Sequence, residues 1–145
     1  MAEQARERTT IAAPLEQVYA TAVDIERYPE WAEDIKEAEV LERDAEGRPV
    51  LVRFRAAAMG HSARYVLRYD HAGAPARLAW VLEQGDIVRV LDGEYHFETG
   101  AAGTTDVTYH LSAELAVPLP GFVKRRAETK IVTTALEDLK ARCEA

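Results

Sequence analysis

The chain holds one cysteine, Cys143, which rules out an internal disulfide and a thiolate-rich metal site and fits a reducing compartment. It has no HExxH, CxxC or GxSxG motif and no glycine-rich phosphate loop, so the sequence offers no metal, nucleotide or covalent-nucleophile chemistry and no required cofactor. It has no long apolar run either. Met1 to Thr10 is polar and mixed in charge, where a secretory leader or a membrane span would be apolar. Positive charge is scarce: 18 Lys and Arg stand against 25 Asp and Glu, for a net charge of -7. A surface of that sign repels phosphate backbones and anionic headgroups, which argues against DNA and against membrane insertion. The cytoplasm is the expected location.

What is present is a strong pattern at the C-terminal end. From Phe122 to Cys143 the apolar positions Val123, Ala127, Ile131, Ala135, Leu139 and Cys143 recur every fourth residue, and Phe122, Val132 and Leu136 widen the stripe. This is the period of a one-sided helix, with Val117-Pro118-Leu119-Pro120-Gly121 as its break from what precedes. A helix of that length spans roughly 35 Å and needs a broad partner surface. Upstream, Thr9 to Ala12 reads as a short strand, and Pro14 to Val23 as a helix with Glu16 in its first turn. Asp24 can cap a short turn through Tyr28, and Pro29 discourages its smooth continuation to Trp31. From Ile35 onward, strand-like segments alternate with turn signals, the pattern of an antiparallel meander. The 145 residues fit one domain, 1–145.

Alternation along the strands separates two faces. One face carries Val52, Phe54 and Ala56; Tyr65, Leu67 and Tyr69; Leu78, Trp80 and Leu82; Leu91, Tyr95 and Phe97; and Val107, Tyr109 and Leu111. Arg53, Arg55, Arg64 and Arg68 fall on the other, as do Glu94, His96 and His110. Arg89 falls on the apolar face, provided that no bulge reverses the register. No strand carboxylate or histidine points inward in this register. Lys124-Arg125-Arg126 forms the basic cluster, and the simplest reading puts Lys124 and Glu128 on a solvated helix face.

The order of elements, together with Ile11-Ala12-Ala13-Pro14-Leu15-Glu16-Gln17-Val18-Tyr19 and Asp24-Ile25-Glu26-Arg27-Tyr28-Pro29-Glu30-Trp31, resembles the START/Bet v 1-like (SRPBCC) superfamily, in its bacterial polyketide cyclase/dehydrase and coenzyme Q-binding-like branch. The segments Leu91-Asp92-Gly93-Glu94-Tyr95 and Pro120-Gly121-Phe122-Val123-Lys124-Arg125-Arg126 add to the likeness. The resemblance implies an α+β helix-grip fold. A curved antiparallel sheet of about seven strands would wrap a long C-terminal helix, with two short helices after the first strand, and enclose an apolar cavity.

The implied function is binding of a hydrophobic small molecule: a polyketide, aromatic, isoprenoid or lipid-like compound. Its expected contacts are Trp31, Phe54, Tyr65, Trp80, Arg89, Leu91, Tyr95, Tyr109, Phe122 and Ile131. Arg89 is the sharpest polar candidate, suited to an anionic or enolate oxygen. No residue is assigned a catalytic or metal-binding role. Two alternatives stand beside this reading. One is a polyketide cyclase/dehydratase that folds its substrate and polarises carbonyls. The other is an interaction module touching a ribosome or an acidic protein through Lys124, Arg125 and Arg126.

Overall fold

The structure, a computed structural model, describes residues 3–58, 61–116 and 120–145. Strand β1 (Glu3–Ile11) leads into helix α1 (Leu15–Val23), a 3-10 turn (Ile25–Arg27) and helix α2 (Tyr28–Trp31). Six strands follow: β2 (Ile35–Arg43), β3 (Pro49–Ala58), β4 (His61–Asp70), β5 (Arg77–Gly85), β6 (Val88–Thr99) and β7 (Thr105–Leu115). Helix α3 (Gly121–Glu144) closes the chain. The expected turn at Gly60 and the Val117-Pro118-Leu119 break lie outside the described residues, as does the His61 side chain.

All seven strands form one antiparallel sheet in the order β1-β7-β6-β5-β4-β3-β2. The meander from β2 to β7 is built of neighbours in sequence, whereas β1 crosses to pair with β7. This sheet, gripping a 24-residue helix, is the helix-grip arrangement. The β2–β3 hairpin shows how local chemistry sets a turn. Asp44 accepts backbone N–H bonds from Glu46 (3.0 Å) and Arg48 (2.9 Å), and Gly47 takes a left-handed φ of 82° that a side chain would resist.

Several expectations change. β1 is longer than Thr9–Ala12, because pairing with β7 draws in the polar residues from Glu3 onward. Pro29 does not stop the turn at Tyr28. It sits in the first turn of α2, where its missing N–H has no helical partner to lose, and the chain leaves the helix at Ala32. Asp24 makes no side-chain cap. Arg89 is not inside. Val88 pairs with Leu115 and Val90 with Glu114, so one extra residue is squeezed into β6; the bulge turns Val88 inward and leaves Arg89 exposed.

Helix α3 does two things along its length. Its C-terminal half is embedded: Val132, Leu136, Leu139 and Cys143 are buried in one core with Ile11, Val18, Ala22 and Val107. That end is also pinned by polar bonds. The Ala12 N–H donates to Glu144 Oε2 (2.8 Å), Gln17 Nε2 to the Cys143 carbonyl (2.9 Å) and Arg142 to Glu30 (3.0 Å). The N-terminal half lies over the concave sheet without filling it. On the convex side, Arg53–Glu39, Arg55–Glu37 and Arg68–Glu83 form cross-strand ion pairs, which keeps these arginines outside as the alternation implied.

Candidate functional site

Between the sheet and the stretch of α3 from Val123 to Asp138 lies a cavity of about 710 Å³, within the usual size range of a small-molecule site. β3, β4, β5, β6 and β7 supply its aromatic wall, because each strand places alternate residues on the concave face. Phe54 stacks on Tyr65 with ring centres 5.5 Å apart. Trp80 lies 5.6 Å from Tyr95 and 5.7 Å from Tyr109, and those two tyrosines meet edge to face at 4.6 Å. Across from them, Tyr28 and Trp31 of α2 pack edge to face at 5.0 Å. The roof is Val123, Ala127, Ile131 and Ala135 of α3.

Eight of the ten expected contacts line this cavity: Trp31, Phe54, Tyr65, Trp80, Leu91, Tyr95, Tyr109 and Ile131. Arg89 does not, for the reason given by the β6 bulge. Phe122 is 64% exposed and points away. The cavity-facing line of α3 runs through Val123 and Ala127, and Phe122 lies about 100° round the helix from Val123. Lys124 also departs from expectation, since it is half-buried in the cavity wall and not part of an outward basic patch. Glu128 is 3% exposed and lines the cavity as well, contrary to a solvated helix face.

Four tyrosine hydroxyls face this space. Tyr65, Tyr69, Tyr95 and Tyr109 are each at least nine-tenths buried. Among the described residues their hydroxyls make no hydrogen bond, and they are not sealed in packing as the Tyr19 hydroxyl is. The Tyr28 hydroxyl, by contrast, is already committed as a donor to the Ala22 carbonyl. Burial drives the ionisation of Tyr69, Tyr95 and Tyr109 well above the ordinary phenol range and raises that of Tyr65, so all four stand as neutral donors.

The wall also holds acids absent from the inward strand pattern. Asp34, just before β2, and Asp138, on α3, both line the cavity, and so does Glu114 near the end of β7, a strand carboxylate that the alternation placed on the outer face. Asp138 accepts the Glu33 N–H at 2.9 Å. Burial raises the Asp34 and Asp138 carboxyls above the usual range; the charge of Glu33 adds to the rise at Asp34, whereas at Asp138 the Glu33 N–H bond opposes it. A signal for Asp138 was present in the sequence: it stands seven residues beyond Ile131 and so shares that residue's helix face. Among the described residues no cluster of three or more His, Cys, Asp or Glu could hold a metal ion, and no helix is long and apolar enough to cross a membrane.

The fold is widely shared. A START superfamily protein of Mycobacterium smegmatis superposes with a TM-score of 0.91 at 23% identity, with 97% of each chain covered. The protein TTHA0849 of Thermus thermophilus matches at 0.83 and 25% identity, again with 97% of each chain covered. The Zhui aromatase/cyclase of Streptomyces sp. R1128 matches at 0.83 and 20% identity, over 99% of this chain and 94% of its own. No curated protein matches the chain. The family profile described as polyketide cyclase / dehydrase and lipid transport matches residues 11–140, nine-tenths of the sequence, and with the helix-grip fold around an apolar cavity this makes the chain a member of that family.

Proposed function

We propose that the protein binds one hydrophobic small molecule between the sheet and the stretch of α3 from Val123 to Asp138. The observation that carries this reading is the cavity itself. Its 710 Å³ or so is walled by eight aromatic side chains and roofed by aliphatic ones, and the hydroxyls of the buried Tyr65, Tyr69, Tyr95 and Tyr109 supply direction. Apolar burial gives the affinity, at about 25 cal/mol for each Å² of ligand surface removed from water. The hydroxyls favour a ligand carrying oxygen or nitrogen acceptors, because a buried donor left unpaired is costly. An aromatic, polyketide, isoprenoid or lipid-like compound fits these terms, bound in a reducing compartment such as the cytoplasm.

The test is a titration with a neutral apolar dye, such as phenylnaphthylamine, whose own emission rises in an apolar site. Saturation at one dye per chain with micromolar affinity is expected. Ala135→Trp, which plants an indole in the roof of the cavity, should abolish the signal while the protein stays folded. Equal dye binding by that variant would refute the site.

Asp34 and Asp138 favour a second reading, a cyclase/dehydratase, because they supply the acid–base groups that the strand pattern lacked. In that reading the tyrosines polarise substrate carbonyls and the cavity holds the reacting chain in a folded conformation.

A further inference from the structure

We infer that the cavity selects hydrophobic molecules bearing a protonated amine, with the ammonium seated between Asp34 and Asp138 against the aromatic wall. This rests on the binding reading above and narrows its ligand class. The charge balance of the wall comes first. Among the described residues, the carboxyl side chains of Asp34, Glu114 and Asp138 line it beside the ammonium of Lys124, and no arginine or histidine joins them. The one cation expected to hold an anionic ligand, Arg89, is outside on the β6 bulge. A carboxylate or phosphate ligand entering this space would meet its own sign.

The second observation is the chemistry of the remaining wall. The rings of Tyr28, Trp31, Phe54, Tyr65, Trp80 and Tyr95 present π faces and edges to the same space, and a cation over such a face is attracted most strongly where water is excluded. The hydroxyls of Tyr65, Tyr69, Tyr95 and Tyr109, which make no hydrogen bond among the described residues, can turn their oxygen lone pairs toward an ammonium as readily as they donate to an acceptor. An ammonium buried here exchanges its hydration for carboxylate and hydroxyl oxygens, so its desolvation is compensated. The opposing cations are few. Lys36 and Lys130 lie near enough to Asp34 to offset part of its charge, and Lys124 sits further along the roof.

Three shape-matched probes separate this assignment from general hydrophobic binding: naphthylethylamine, naphthylethanol and naphthylacetate, titrated calorimetrically into the full chain at neutral pH and low salt. The amine should bind at least about tenfold tighter than the alcohol, and the acetate more weakly than both. The double variant Asp34→Asn/Asp138→Asn should bring the amine down to the affinity of the alcohol and leave the alcohol unchanged. An alcohol that binds as tightly as the amine, or an acetate that binds tightest, overturns the cation assignment and leaves the hydrophobic site standing. Absence of binding by all three overturns the site together with the assignment. The wild-type series decides the matter even if the double variant does not fold.

Discussion

Gly93 is the position at which a single methyl group should be felt across the whole wall. It pairs directly with Trp80 across the β5–β6 ladder. A Cβ at residue 93 would stand 2.6 Å from Cζ2 and 2.9 Å from Cε2 of the indole, and 2.9 Å from the His110 carbonyl oxygen. Carbon atoms in contact need about 3.5 Å, so the indole must withdraw by about 1 Å. The carbonyl is held in the β6–β7 ladder, so the indole has to shift against its neighbours Tyr69, Tyr95 and Tyr109. Overpacking of this kind costs about 1–3 kcal/mol, offset by about 0.5–1 kcal/mol because alanine loses less backbone freedom than glycine on folding. The net loss of about 1–2 kcal/mol should lower Tm by about 2–8 °C for a chain of this size. Thermal melts followed by circular dichroism read the loss, and tryptophan emission reads the moved indole. In a Trp80→Phe background the two indole atoms are gone and the His110 carbonyl contact remains, so Gly93→Ala should then cost clearly less than in the wild type. An equal loss in both backgrounds, or no loss in either, would refute the contact as the cause.

Two further outcomes concern the embedded half of α3 and the cavity wall. Leu136→Ala, at a buried position of the embedded half, should cost about 2–5 kcal/mol in urea denaturation without weakening ligand binding. In the cavity wall, burial holds the Asp34 carboxyl above its unfolded value of 3.8. A raised folded-state pKa contributes stability that is complete below the unfolded value and is lost as pH rises through the folded one. Asp34→Asn should therefore unfold at higher temperature than the wild type at neutral pH, and that advantage should disappear near pH 3. A variant less stable at neutral pH would contradict the sign.

The sequence made the sheet and the gripping helix legible because both are written in period. Val107, Tyr109, Leu111 and Ala113 alternate without interruption along β7, and the structure buries all four. The same rule failed at Arg89, where one inserted residue reverses a face. That bulge is set by how β6 meets Leu115 and Glu114 of β7, a pairing between segments more than twenty residues apart that no local pattern announces. Asp34 and Asp138 were missed for two different reasons. Asp34 belongs to a connecting segment with no period to read. Asp138 shares a face with Ile131 and Ala135, but a single polar residue on an apolar stripe looks like the edge of the stripe until a hollow is seen beneath it. Glu128 was misread because amphipathicity assumes a filled partner surface, and over a cavity the inward face of a helix tolerates charge.

The crossing of β1 to β7 also sets a schedule for folding. The hairpins from β2 to β6 can close as each strand emerges during synthesis, since every partner is the next segment of chain. β1 has no such neighbour. Its pairing with β7 joins Arg8 to Asp106 across 98 residues, and the bond from the Ala12 N–H to Glu144 spans 132. Of the seven strands, the first to leave the ribosome thus waits for the last, its edge held in solution meanwhile by Arg6, Glu7 and Arg8, whose charges discourage pairing with another nascent chain.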